Sequence, residues 1–150
     1  MDLIKVKLYQ YCVNYINERI ETAQRAIKNA KEASESETKS SAGDKYETGR
    51  AMAQQDIDRN QGQLIEASKL KQILERINPE NTSDTVHVGS LAVTDKGKFY
   101  MAISAGQITL DGETYFAVSP ASPIGLKLAG KKAGDEFEFN DKEYRISLVI

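Results

Sequence analysis

Two proline-free runs with apolar residues on a three-and-four spacing fill the first half of the chain, and they limit what it can fold into more than any other feature. In the first run the repeating positions are Val13, Ile16, Ile20, Ala23, Ile27 and Ala30, with Ser34 and Glu37 next in phase. The second runs through Ala53, Ile57, Asn60, Leu64, Ala67, Leu70 or Lys71, Leu74 and Ile77. A mean period of 3.5 residues is the seam of paired, supercoiled helices. Two such helices joined by a few residues must fold back antiparallel. Each is about 30 residues long, so the expected coiled-coil hairpin extends roughly 45 Å. Towards the turn the seam becomes polar at Ser34, Glu37 and Ser41, so that end gains little from packing.

The outer faces of both runs interleave opposite charges, as in Glu18-Arg19, Arg25, Lys28, Lys31 and Glu32. Residues 1–78 hold 13 basic and 12 acidic side chains, so this is a solvated exterior and not a basic rod. The whole chain, at a net charge of −2, is no nucleic-acid binder of the bulk-charge kind. The single Cys12 excludes an intrachain disulfide, and its apolar position predicts a small core residue in a reducing compartment. No apolar run approaches the ~20 residues of a membrane span, and the first residues lack the pattern of a secretory signal. A cytoplasmic protein is expected.

Composition changes at Asn78-Pro79-Glu80-Asn81-Thr82-Ser83. This sets an expected division into a helical hairpin over 1–78, a linker over 79–84 and a second domain over 85–150. In the second domain, 85–93 and 98–104 read as strands around a turn at Thr94-Asp95-Lys96-Gly97, with a short extended piece at 107–110. Asp111-Gly112 is a tight-turn signal before a strand at Glu113–Val118. Ser122 as N-cap and Pro123 at the first helical position start a short helix that Gly130 ends. Two further strands follow around Asn140-Asp141-Lys142. The expected class is α+β, an antiparallel sheet carrying one short helix. His87, the only histidine, falls in the first of these strands with a structural or solvent-facing role.

The segment joining the two helical runs, about residues 41–49, carries Asp44 and Glu47. One reading is structural: Gly43 closes the first helix, Asp44 caps the second, and Glu47 reaches back in a near capping box. The other is metal binding. Carboxylates at i and i+3 emerge on one face of a helix start, and Mg²⁺ is commonly held by one or two protein carboxylates with waters and substrate phosphates. Such an exposed pair could complete a site that belongs to another molecule.

The second half resembles the FKBP-like domain of Gre-type bacterial transcript cleavage factors. The resemblance rests on Val88-Gly89-Ser90, Ile103-Ser104, Ser122-Pro123-Ile124-Gly125-Leu126-Lys127-Leu128-Ala129-Gly130-Lys131, Gly134-Asp135-Glu136 and Tyr144-Arg145-Ile146. The order of the two domains is also similar to that family's. The resemblance implies that the coiled coil enters the secondary channel of bacterial RNA polymerase. Gly43-Asp44-Lys45-Tyr46-Glu47 matches the family's tip motif. It makes Asp44 and Glu47 shared Mg²⁺ ligands that help the polymerase cleave the 3′ end of backtracked RNA. Ser122 and Pro123 match a loop that docks on the channel rim. The chain departs from the family at Thr48, where an Asn is usual, and at Ala121, where an acidic residue is frequent. The resemblance implies no free-standing active site, no cofactor in isolation and a monomer. A channel-binding inhibitor without cleavage, or a coiled-coil adaptor for another protein, are the alternative expectations.

Overall fold

A computed structural model describes the backbone of residues 2–40 and 44–150, and the side chains of 3–35 and 48–150. Two long helices come first, α1 over Asp2–Ser40 and α2 over Asp44–Glu75. Neither contains proline, and α1 is also free of glycine, so nothing in its interior breaks the hydrogen-bond ladder. Burial follows the three-and-four spacing. Ile16, Ala23, Ala53, Ile57, Ala67, Leu74 and Ile77 are buried, and Val13, Ile20, Ile27, Ala30, Ser34, Asn60 and Leu64 are half-buried. Glu37 and Ser41 lie outside the described side chains.

The chain divides into two compact units. One is Ile16–Lys71, helix throughout where described. The other joins Met1–Tyr15 to Gln72–Ile150. The second unit therefore takes in the first turns of α1 and the last turn of α2. Lys7 Nζ pairs with Asp111 Oδ2 at 2.7 Å, and Lys5 Nζ donates to the carbonyl of Ile150 at 3.3 Å and to that of Asn81.

After α2 come β1 (Leu91–Thr94), β2 (Gly97–Met101), β3 (Gly106–Leu110), β4 (Glu113–Val118), α3 (Pro123–Leu128), β5 (Glu136–Phe139) and β6 (Lys142–Val149). They form one sheet in the order β3-β4-β2-β1-β6-β5. The fold class is α+β, but the sheet is mixed and not antiparallel throughout. β4 runs parallel to β2, with Phe99 opposite Phe116 and Met101 opposite Val118. The cause is the segment 102–105. It leaves the ladder after Met101 and carries the chain one strand further out, so the hairpin partner β3 becomes the edge and β4 fills the place beside β2. Left-handed backbone at Asp111 and Gly112 closes that hairpin as its sequence predicts.

The first strand is also shorter than expected. Only 91–94 is strand, because Gly89 sits at φ 96° and bends the backbone. A Cβ there would lie 3.1 Å from the Ile77 side chain. Ser90 N donates to His87 O at 2.9 Å, closing the turn. His87 thus lies in a turn ahead of β1, not in a strand, and it is exposed. Likewise β2 ends at Met101 instead of 104.

Side chains alternate across the central strands, so both faces are covered. On one face Ala92, Phe99, Met101 and Ile146 pack with Val86, Leu128 of α3 and Phe137. Aromatic rings extend this cluster. Phe137 stacks on Tyr144 at 5.1 Å, and Phe99 meets Phe116 at 5.8 Å. Tyr100, between Phe99 and Met101 in sequence, points to the opposite face and is fully buried. A bulge at Ser147 restores the inward set at the end of β6: Thr94 pairs with Ile146 and Val93 with Leu148, so Val149 joins the Ala92 face.

Candidate functional site

α2 starts at Asp44, so positions 44 and 47 fall within its first turn, one turn apart. This is where both the capping and the metal reading place their residues. The side chains of Asp44 and Glu47, and the backbone of Gly43, lie outside the described residues. Thr48, next along, is exposed. Among the described residues no group of three or more His, Cys, Asp or Glu gathers to hold a metal ion.

The loop before α3 is described in full. Ser122 has extended backbone at φ −67° and ψ 156°, and its Oγ accepts from Gly125 N at 3.1 Å. The same hydroxyl donates to Ser119 O at 2.7 Å, and Ser122 N donates to Ser119 O at 3.1 Å. One serine thereby closes the loop and caps the helix. Pro123 follows at the first helical position, where its missing N–H costs nothing. Gly125 is required by space: a Cβ would lie 2.0 Å from Ser119 O. The surface this leaves is apolar, with Pro123 exposed and Leu126 68% exposed. Ala121, also exposed, stands beside it without charge.

Three buried side chains with polar or ionisable groups stand out in this unit. Lys5 is only 2% exposed, although a lysine near a helix start reads as solvated; its stem fills a seam position and its ammonium meets backbone carbonyls. Tyr100 buries its hydroxyl without a hydrogen-bond partner, and burial raises its pKa. Cys12 packs near it; burial pushes that thiol up to about 12, so it is inert as a nucleophile at neutral pH. This agrees with the core role its position predicts. The period-3.5 pattern could have flagged Lys5, which stands three residues before the buried Leu8 and seven before Cys12.

The exposed charges make local pairs. Lys98 Nζ lies 2.8 Å from Glu113 Oε2; this bond holds the Glu113 carboxyl below its usual value and raises Lys98. Arg145 N donates to Asp95 Oδ1 at 2.9 Å and lowers the Asp95 carboxyl. No described helix is long and apolar enough to cross a membrane. Compared with known proteins, the chain matches no family model and no curated sequence.

Proposed function

We propose that this protein is a Gre-like transcription elongation factor. In this reading α1 and α2 form an antiparallel coiled coil that enters the secondary channel of bacterial RNA polymerase, in the cytoplasm and as a monomer. Asp44 and Glu47 stand at its end, and the sheet domain, FKBP-like in this reading, docks through Ser122 and Pro123. The observation that supports it most is the start of α2 at Asp44, between two helices whose buried positions keep a three-and-four spacing. A helix of 32 residues rises about 48 Å, long enough to deliver its first turn into a deep channel.

Two carboxylates one helical turn apart suit a partial Mg²⁺ site, since Mg²⁺ takes oxygen ligands and retains several waters. They do not suffice for a closed one, which is why the site is proposed as shared with the polymerase. The ion, when bound, supplies Lewis-acid activation of a water for phosphodiester hydrolysis. The chain itself positions negative charge and leaves bond cleavage to the polymerase, so it is not an enzyme on its own. Thr48 offers a hydroxyl where related tips carry an amide.

The test is transcript cleavage in backtracked complexes of the cognate polymerase. Wild-type protein is expected to shorten the RNA from its 3′ end. Asp44→Ala with Glu47→Ala is expected to abolish this while binding to the polymerase stays within about threefold. Cleavage retained by the double variant would remove the metal role and leave the capping role. Protection of the RNA 3′ end by wild type would instead assign the protein as a channel inhibitor. Absence of polymerase binding would favour an adaptor for another protein.

A further inference from the structure

An apolar groove of about 300 Å³ lies in the unit that holds the sheet, between the end of α2 and two loops. Ile73, Ile77, Val88 and Pro120 line it, and among the described residues Arg76 is the one charged side chain that does. We infer that this groove docks a short segment of a partner protein in which a large apolar side chain stands next to a carboxylate. The inference goes beyond the docking role proposed for Ser122 and Pro123, neither of which lines the groove. It is also independent of the role proposed for Asp44 and Glu47.

Each wall is built on backbone that is already held. Ile73, Arg76 and Ile77 stand three and four residues apart, so they share one face at the end of α2. There Arg76 N donates to Ile73 O at 3.2 Å and Ile77 N to Leu74 O at 3.0 Å. Val88 is at the tip of the turn over 87–90, in which Gly89, at φ 96°, takes the left-handed position. Gly89 N donates to Met101 O at 2.6 Å and ties that turn to the end of β2. Pro120 belongs to the loop that Ser122 closes on Ser119. A groove formed before its ligand arrives loses little freedom on binding.

The chemistry of the occupant follows from what the groove presents. Val88 is 37% exposed at a turn tip, a place where polar residues and proline are usual. Ile73 and Pro120 are only half-buried. An apolar side chain covers these surfaces without stranding a polar group of its own. The volume stands at the lower end of the range for ligand pockets, about 300 to 1,000 Å³, and suits one or two side chains of a peptide. Arg76 sets the sign of the neighbouring group. It is exposed and pairs with no carboxylate among the described residues, in contrast to Lys7, Lys98 and Arg145 of the same unit. No Asp or Glu among the described residues lines the groove to take that place. A guanidinium at the rim donates two parallel hydrogen bonds to a carboxylate, so an acid beside the apolar anchor is the complement.

Titration of the full chain with acetylated and amidated tetrapeptides, Ala-Leu-Glu-Ala and Ala-Phe-Glu-Ala, tests this through backbone amide NMR shifts. Saturating shifts are expected at Ile73, Arg76 and Val88. Glutamine in place of the peptide's glutamate should weaken binding about threefold, and alanine in place of its leucine about fivefold. Arg76→Gln should remove the preference for glutamate over glutamine and leave the glutamine peptide bound as before. Val88→Ser should weaken every peptide about fivefold, with an unchanged far-UV spectrum. The inference is overturned if the shifts do not saturate at these residues, if glutamate and glutamine peptides bind alike, or if Arg76→Gln keeps the preference. Sedimentation of the protein alone as a dimer that Val88→Ser dissociates would also overturn it, and would give the groove to a second copy of the chain.

Discussion

In the helical unit, Ile16–Lys71, the buried apolar residues among those described are Ile16, Ala23, Ala53, Ile57 and Ala67, and three of these five are alanines. In the sheet unit the buried set includes Leu8, Leu74, Tyr100, Met101, Ile103, Ile108, Leu128 and Ile146. Alanine removes little area from water, so the helical unit draws on helix propensity and a narrow stripe. The sheet unit draws on large side chains packed on both faces of its central strands. The candidate acids Asp44 and Glu47 belong by position to the unit with the smaller buried side chains.

Adding a single methyl group should divide the two units most sharply. Gly125→Ala sets a Cβ against a backbone oxygen, and the loop must shift; a loss of about 3 kcal/mol in urea unfolding is expected. Gly62→Ala meets nothing within 4 Å inside α2, and should raise stability by about 1 kcal/mol. Equal and small effects at both sites would erase the contrast.

A smaller effect is expected at Tyr100. Its hydroxyl is buried without a partner, so Tyr100→Phe removes a desolvated polar group and leaves the ring in place. Stability should stay level or rise by about 1 kcal/mol. A fall of that size would mean that a water reaches the hydroxyl, and that this face of the sheet is less tightly packed than the contrast requires.

The smallest effect belongs to the exposed pair Lys98–Glu113. Glu113 is depressed in the folded chain, so its contribution is present above its ordinary value near 4.5 and is lost as pH falls through the lowered folded value. Lys98 is raised, so its share is lost as pH climbs beyond its ordinary 10.5. Comparing thermal unfolding of Glu113→Gln with wild type should show a small deficit at pH 7 that vanishes at acid pH. A deficit that persists at low pH would assign Glu113 a packing role.

These contrasts also explain what could be read in advance. The two long helices and the spacing of their buried positions were legible because apolar residues three and four apart share one helix face, and Ser122-Pro123 because a cap is a local interaction. The parallel pairing of β2 with β4 was not legible. It depends on where 102–105 leads the chain, and no local pattern encodes that. The strand expected at 85–93 failed at Gly89, whose turn is set by hydrogen bonds to Met101 and His87. Of the candidate site, the one-turn spacing of positions 44 and 47 and the cap at Ser122 with Pro123 were legible. The partners of Lys5 were not, because Asn81 and Ile150 stand 76 and 145 positions away in the chain.

The bond from Lys5 to the carbonyl of Ile150 joins residues 145 positions apart. Its consequence concerns the order in which the molecule is made. Residues 16–71 are helix where described, and helix can form as they leave the ribosome. The first fifteen residues belong to a unit whose last strand is synthesised several seconds later. Until then Leu8 and Cys12 have no sheet to cover them. The opening turns of α1 are therefore made well before the strands that complete their unit.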